Sequence, residues 1–261
     1  MIRKFVFLTT FITAAVLALA SASIAATNIS YDAADNPGSN PDASVNGEGS
    51  ATADAWTTVS SFGGSGSLFG GGLSDGTYTN DNTWQIFTVT GQDSQIYSKH
   101  FLDSALTVGQ SISLNFANSS VATGGFVGIS LKDSNNVNIA QFQFAGGGGD
   151  YVYSDSTHTN SDTLHAFESQ DLMNITWKIG PSGAYTATLS DPGTNAVEAT
   201  WSGTFGGNGL VSGIEVFNNN GGNSSDVFYD DLTIAPEPST WFAATIAGVG
   251  ALYLRRRRRI S

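Results

Sequence analysis

Three histidines and 22 acidic residues are the side chains available to move a proton or hold a metal in this 261-residue chain. Their spacing points away from both tasks. His100, His158 and His165 include no pair four residues apart, the spacing at which two zinc ligands share a helical face. His158 and His165 lie in a polar stretch and are expected in a loop rather than at a metal. Within residues 27–235 the glutamates are Glu48, Glu168, Glu198 and Glu215, none in a paired motif, so a two-carboxylate hydrolytic site is not visible. There is no nucleophile elbow. The absence of cysteine excludes a disulfide framework, a thiol nucleophile and a thiolate metal site. The chain reads as a non-enzyme, with a secreted glycoside hydrolase as the catalytic alternative.

Binding is the next possibility. Trp56 and Trp84, with Tyr151 or Tyr153, are candidates for an aromatic platform that stacks on sugar rings. Trp177 shares parity with Ile175 and Ile179, and Trp201 ends an alternating run with Val197 and Ala199, so both indoles are expected in the core. Asp230 shares parity with Phe228, Leu232 and Ile234. A carboxylate facing a core must be paired, hydrogen-bonded or metal-bound. Oxygen ligands suit calcium, and the alternative is a rim carboxylate that accepts loop backbone hydrogen bonds.

The charges are sorted along the chain. Arg3 and Lys4 stand at one end and Arg255, Arg256, Arg257, Arg258 and Arg259 at the other; between them lie only Lys99, Lys132 and Lys178, together with all 22 acids. The net charge of −12 argues against nucleic acid as a partner. Charged residues are only 12% of the chain, too few for a solvated disordered polyelectrolyte. Each basic cluster abuts an apolar run. Arg3-Lys4 followed by apolar Phe5 to Ala20 and then Ser23-Ile24-Ala25 predicts a signal peptide over residues 1–26, cut near Ala25 or Ala26 by signal peptidase. A retained anchor is the alternative. At the other end, Pro236-Glu237-Pro238 precedes an apolar segment over residues 239–254 and the arginine cluster. That segment is short of the ~20 residues that span a bilayer comfortably, and snorkelling arginines with Trp241 and Tyr253 at the interfaces would extend it into a single transmembrane helix. Five arginines resist translocation, which leaves them cytoplasmic and the acidic body outside.

Residues 236–261 resemble the PEP-CTERM sorting signal of exopolysaccharide-producing Gram-negative bacteria: Pro236-Glu237-Pro238, one hydrophobic segment and a terminal arginine block, in that order. The resemblance implies that an exosortase, a membrane-embedded cysteine transpeptidase, recognises Pro236, Glu237 and Pro238. The tail would then be removed and the body delivered to the cell surface or its polysaccharide matrix. An ordinary C-terminal anchor after a proline linker is the alternative.

Residues 27–235 form the exported body, of which 27–49 is expected to be poorly ordered. Short alternating apolar segments recur there between Gly, Asn, Asp and Ser clusters, the pattern of an all-β, antiparallel sandwich. Ser111 to Phe116, Gly125 to Lys132, Ile175 to Ile179 and Tyr185 to Leu189 are the plainest strands, the last two joined at Gly180-Pro181-Ser182-Gly183. About ten strands are expected in one domain. Opposite parity between Ile139 and Phe142 predicts a bulge near Ala140 or Gln141. Glycine- and serine-rich Ser60 to Gly76 reads as a surface loop. The body also resembles concanavalin-like jelly rolls, through Leu106-Thr107-Val108-Gly109-Gln110, Gly124 to Gly128 and Asp226 to Leu232. That likeness implies a jelly-roll-like sandwich, carbohydrate binding as an alternative function, and a structural calcium at Asp230. Glu168-Ser169-Gln170-Asp171 lacks the Glu-x-Asp-x-x-Glu alternation of the related glucanases. The expected role is therefore an exported surface or matrix protein associated with exopolysaccharide. Replacing Pro236-Glu237-Pro238 with alanines should leave uncleaved protein in the inner membrane on cell fractionation; normal surface delivery would contradict the sorting role.

Overall fold

Alternation of apolar and polar residues over runs of five to ten positions dictates the architecture, because each strand then buries one face and wets the other. The computed structural model describes residues 29–31, 56–61, 69–74, 79–87, 95–159, 162–166, 171–220 and 226–235. The signal peptide and the C-terminal sorting tail, with Ala25, Ala26, Pro236 to Pro238 and Arg255 to Arg259, lie outside them. Among the described residues no helix is long and apolar enough to cross a membrane.

In chain order the strands are β1 Ile29–Tyr31, β2 Thr57–Ser61, β3 Phe69–Ser74, β4 Thr79–Phe87, β5 Gln95–Phe101, β6 Ser111–Asn118, β7 Phe126–Lys132 and β8 Asn138–Ala145. They continue as β9 Asp150–Ser154, β10 Asp162–Ala166, β11 Met173–Ile179, β12 Ala184–Ser190, β13 Val197–Thr204, β14 Gly213–Asn219 and β15 Asp226–Ala235. Two sheets result. The first runs β13-β12-β11-β6-β15-β4-β3, with β1 also paired to β15; the second runs β10-β9-β8-β7-β14-β5-β2. Neighbouring strands are antiparallel throughout the registers described.

One core lies between the sheets. The first sheet contributes Ile112, Leu114, Phe116, Ile175, Trp177, Ala187, Leu189 and Tyr229, and the second Ile96, Val127, Ile129, Phe142, Tyr151 and Val216. Trp177 is 1% exposed and Trp201 8%, as their parity predicts. Phe142 stacks on Tyr151 at 5.0 Å and lies 6.3 Å from Trp201, so rings from both sheets meet at one end of the sandwich. Toward β2 and β15, Trp56 packs 5.0 Å from Tyr229 and 5.5 Å from His100.

The expected hairpin is present, pairing Ile175 with Leu189, Trp177 with Ala187 and Ile179 with Tyr185. Its turn is a 3-10 turn, Pro181–Gly183, with Ser182 (φ 57°) and Gly183 (φ 76°) in the left-handed region. A register shift where Leu131 pairs with Ala140 and Lys132 with Asn138 supplies the bulge that Ile139 and Phe142 demand. The stretch read as a loop over Ser60 to Gly76 instead contains β3, which pairs with β4. Glycine weakens a strand's sequence signal without preventing ladder pairing. β9 and β10 also escaped the sequence reading, and β1 lies within the segment expected to be poorly ordered.

The outer face of the second sheet uses two of the body's three lysines. Glu215 is buried there, 2.9 Å from Lys99 Nζ and 2.8 Å from Lys132 Nζ. Burial holds the Lys132 ammonium below its ordinary range, and its bond to Glu215 opposes that shift. Removing Glu215 would strand a buried cation, a costly change.

His100 is fully buried on the core face of β5, and burial pushes its pKa from 6.5 down to about 4. The unfolded chain therefore takes up a proton that the folded chain refuses, so this contribution to stability is lost as pH falls from 6.5 towards 4. The loss is limited to about 3 kcal/mol. Thermal unfolding of His100→Gln should show a shallower decline than the wild type across that window. Parallel pH profiles would contradict this reading.

Candidate functional site

Strand parity that buries Ile112, Leu114 and Ile175 turns Ser113, Asn115 and Asn174 to the outer face of the first sheet. Asparagine is uncommon in strand interiors, and here two stand side by side, since Asn115 and Asn174 are register partners on β6 and β11. A hydrogen-bond relay crosses three adjacent strands. Thr176 Oγ1 donates to Asn174 Oδ1 at 2.9 Å, Asn174 Nδ2 to Asn115 Oδ1 at 2.8 Å, and Asn115 Nδ2 to Asp231 Oδ2 at 2.7 Å. The relay floors an open depression of about 330 Å³ completed by Ser113, Ser190, Thr233, Pro192 and Asn195.

Each wall has a local cause. Pro192 and Asn195 belong to the β12–β13 turn, where Asp191 Oδ1 accepts from the Gly193 N–H at 2.7 Å and Oδ2 from Thr194 Oγ1 at 2.7 Å. The Thr194 hydroxyl is the largest influence holding the Asp191 carboxyl below its ordinary range. Asn195 sits at φ 59°, a conformation asparagine tolerates. Asp231 owes its place to a break in β15. The strand pairs with β4 through Asp226 to Tyr229 and with β1 through Leu232 to Ile234. Between those ladders Asp231 takes φ 51°.

That break corrects the parity assigned to Asp230. Tyr229 faces the core and donates to Ser98 Oγ at 2.7 Å, while Leu232 and Ile234 also face the core. Phe228 belongs to a separate cluster with Ala117 and Leu172. Alternation from Tyr229 therefore turns Asp230 away from the inter-sheet core, although it is only 4% exposed. The core-facing argument for calcium at Asp230 consequently fails, because two-residue alternation cannot be carried across a bulge. Trp56 is also corrected: at 1% exposure its indole offers no face to a sugar. Tyr151 and Tyr153 are core residues too. Trp84 lies on β4, and its side chain is outside what is described.

Asp155 organises a second cluster near β12 and β13. Its Oδ1 accepts from the Thr157 N–H at 2.6 Å, Thr157 Oγ1 at 2.7 Å, the His158 N–H at 2.7 Å and lies 3.0 Å from His158 Nδ1. Tyr185 donates its hydroxyl to Oδ2. Burial would raise the carboxyl's pKa, but the bonds from Tyr185, Thr157 and His158 outweigh it and hold the group below its ordinary range. With so many donors converging on one side chain, the cluster serves as a turn cap that fastens the β9–β10 loop. His158 lies in that loop, as expected. His165 does not; it lies on β10, opposite Tyr151. There it approaches Asp171 and Glu198, and one ligand atom from each of the three falls within 4.8 Å of the others. No local spacing announces this group, because its members come from three separated segments.

No family model matches the sequence, and no curated protein matches it. Solved structures do share the architecture. A carbohydrate esterase from the Shiga toxin-encoding bacteriophage phi24B aligns at a TM-score of 0.52 with 15% identity, over 82% of this chain and 100% of that one. The Emp47p carbohydrate recognition domain aligns at 0.45 with 12% identity, over 80% and 96% of the two chains. Peanut lectin aligns at 0.41 with 10% identity, over 80% and 98%. The class defined by the fold is an antiparallel two-sheet β-sandwich consistent with a jelly roll, and at these identities the likeness extends to fold alone.

Close packing around the Asp155 cap is testable at Gly203. A Cβ there would sit 1.8 Å from Asp155 Oδ2 and 2.8 Å from the Tyr185 hydroxyl. Gly203→Ala should therefore displace the carboxylate and cost about 2 kcal/mol in urea unfolding. An unchanged unfolding midpoint would show that the cap is not built this tightly.

Proposed function

We propose that this chain is an exported, non-enzymatic protein of the cell surface or extracellular matrix that retains polysaccharide on the outer face of its first sheet. Export and sorting rest on the sequence pattern at the two ends, with signal peptidase, exosortase and the inner membrane as processing partners. The Asn115–Asn174–Asp231 relay carries the binding reading. Primary amides and a carboxylate on rigid strands match the donor and acceptor pairs of vicinal sugar hydroxyls. The β-sandwich fold is compatible with that role.

The lining also favours binding over hydrolysis. Asp231 is its one carboxylate and already accepts from Asn115, whereas glycoside hydrolysis calls for an acid and a second carboxylate across the scissile bond. Charge narrows the ligand class. With all 22 acids and only three lysines between its basic ends, the body repels uronate-rich or sulfated chains and favours a neutral glycan.

The purified full-length chain should be retained by neutral polysaccharides in a glycan array or pull-down. Asn174→Ala should weaken retention at least about tenfold, the scale of one or two lost hydrogen bonds. Asp231→Asn keeps a residue that tolerates φ 51° and tests the charge alone. Retention unaffected by Asn174→Ala would remove the relay from the binding face, and turnover of a β-glucan would favour a glycoside hydrolase instead.

A further inference from the structure

The outermost strands of the two sheets, β10 and β13, approach each other at one edge of the sandwich. His165 is on β10, Glu198 is on β13, and Asp171 lies in the segment leading to β11. His165 Nε2 stands 3.5 Å from Glu198 Oε2 and 3.7 Å from Asp171 Oδ2. Both separations exceed the roughly 2.7–3.2 Å of an N–H···O hydrogen bond. They lie near the ~3.3 Å edge of a tetrahedron whose centre is about 2.0–2.1 Å from each ligand, the bond lengths of zinc to imidazole and carboxylate.

The histidine supplies a second, independent observation. Its Nε2 is shielded from solvent and makes no hydrogen bond, with the two carboxylates at ion-pair distance only. The ring is held against Tyr151, with centroids 6.4 Å apart and planes inclined by 25°. Nε2 is the ring nitrogen that lies within ion-pair distance of both carboxylates. The three side chains are each 21% to 29% exposed, which places the group at the edge of the sandwich rather than in its core. Two anionic oxygens and one imidazole nitrogen suit a borderline transition cation; calcium prefers six to eight oxygen ligands and magnesium keeps its waters.

We propose that His165 Nε2, Asp171 Oδ2 and Glu198 Oε2 bind one zinc ion, with a fourth position left to solvent. The ion joins β10 of one sheet to β13 of the other. This site is separate from the glycan-binding relay, and its test does not depend on that reading.

The full-length chain, stripped with a chelator, is titrated with zinc chloride by calorimetry and followed by thermal unfolding. One saturable zinc per chain is expected, with micromolar affinity and a raised Tm. His165→Ala and Glu198→Gln should each weaken binding at least tenfold, whereas Asp103→Asn, at an exposed carboxylate elsewhere, should leave it unchanged. Cobalt substituted at the site should show the visible absorption of a four-coordinate ion, and His165→Ala should abolish it. Circular dichroism of the variants separates lost ligands from lost fold. Absence of saturable zinc binding by the wild type would overturn the proposal, as would binding retained by both folded ligand variants.

Discussion

Tyr229 reaches across the interior from the first sheet and donates its hydroxyl to Ser98 on the second, with Trp56 packed against its ring. Around this contact the two sheets must keep their inner faces apolar and in step. A residue displaced by one position along a strand would exchange core for solvent at every side chain beyond it. This parity constraint governs the rest of the molecule. It selects Ile175, Trp177 and Ile179 for the interior, and by the same rule places Asn174, Thr176 and Lys178 outside.

Two departures from parity are informative. At β7–β8 an extra residue lets both Ile139 and Phe142 reach the core. At β15 the break is larger in consequence. The strand exchanges one neighbour for another between Tyr229 and Leu232, and the left-handed backbone at Asp231 absorbs the mismatch. The carboxylate thereby comes within reach of Asn115. A candidate binding face thus rests on the same irregularity that lets a long strand pair first with β4 and then with β1.

The outer faces solve different electrostatic problems. On the second sheet, scarce lysines neutralise a buried glutamate. On the first, neutral amides carry the polarity and Asp231 is the sole charge lining the depression. Loops add local fastening, as at Asp155, where hydrogen bonds overcome the penalty of burial and keep the carboxyl in its charged form. The acidic surplus of the sequence is consequently uneven in effect: some carboxylates organise turns, while Asp171 and Glu198 face a histidine across the sandwich edge.

Short-range order was readable without coordinates. Alternation exposed the strands around Leu114, Val127, Trp177 and Ala187, and glycine and proline marked the hairpin turn, because both signals act within a few residues. The out-facing asparagines carried no local signal of a site, and nothing in the sequence told that Asn115 would meet Asn174 and Asp231. Tertiary structure decided those pairings, the burial of Trp56, the turn of Asp230 away from the core and the convergence of His165, Asp171 and Glu198. Each depends on strand order or on a bulge that resets alternation. A one-dimensional pattern carries the period of a strand, whereas its neighbour is chosen by how the whole set of strands closes over a shared core.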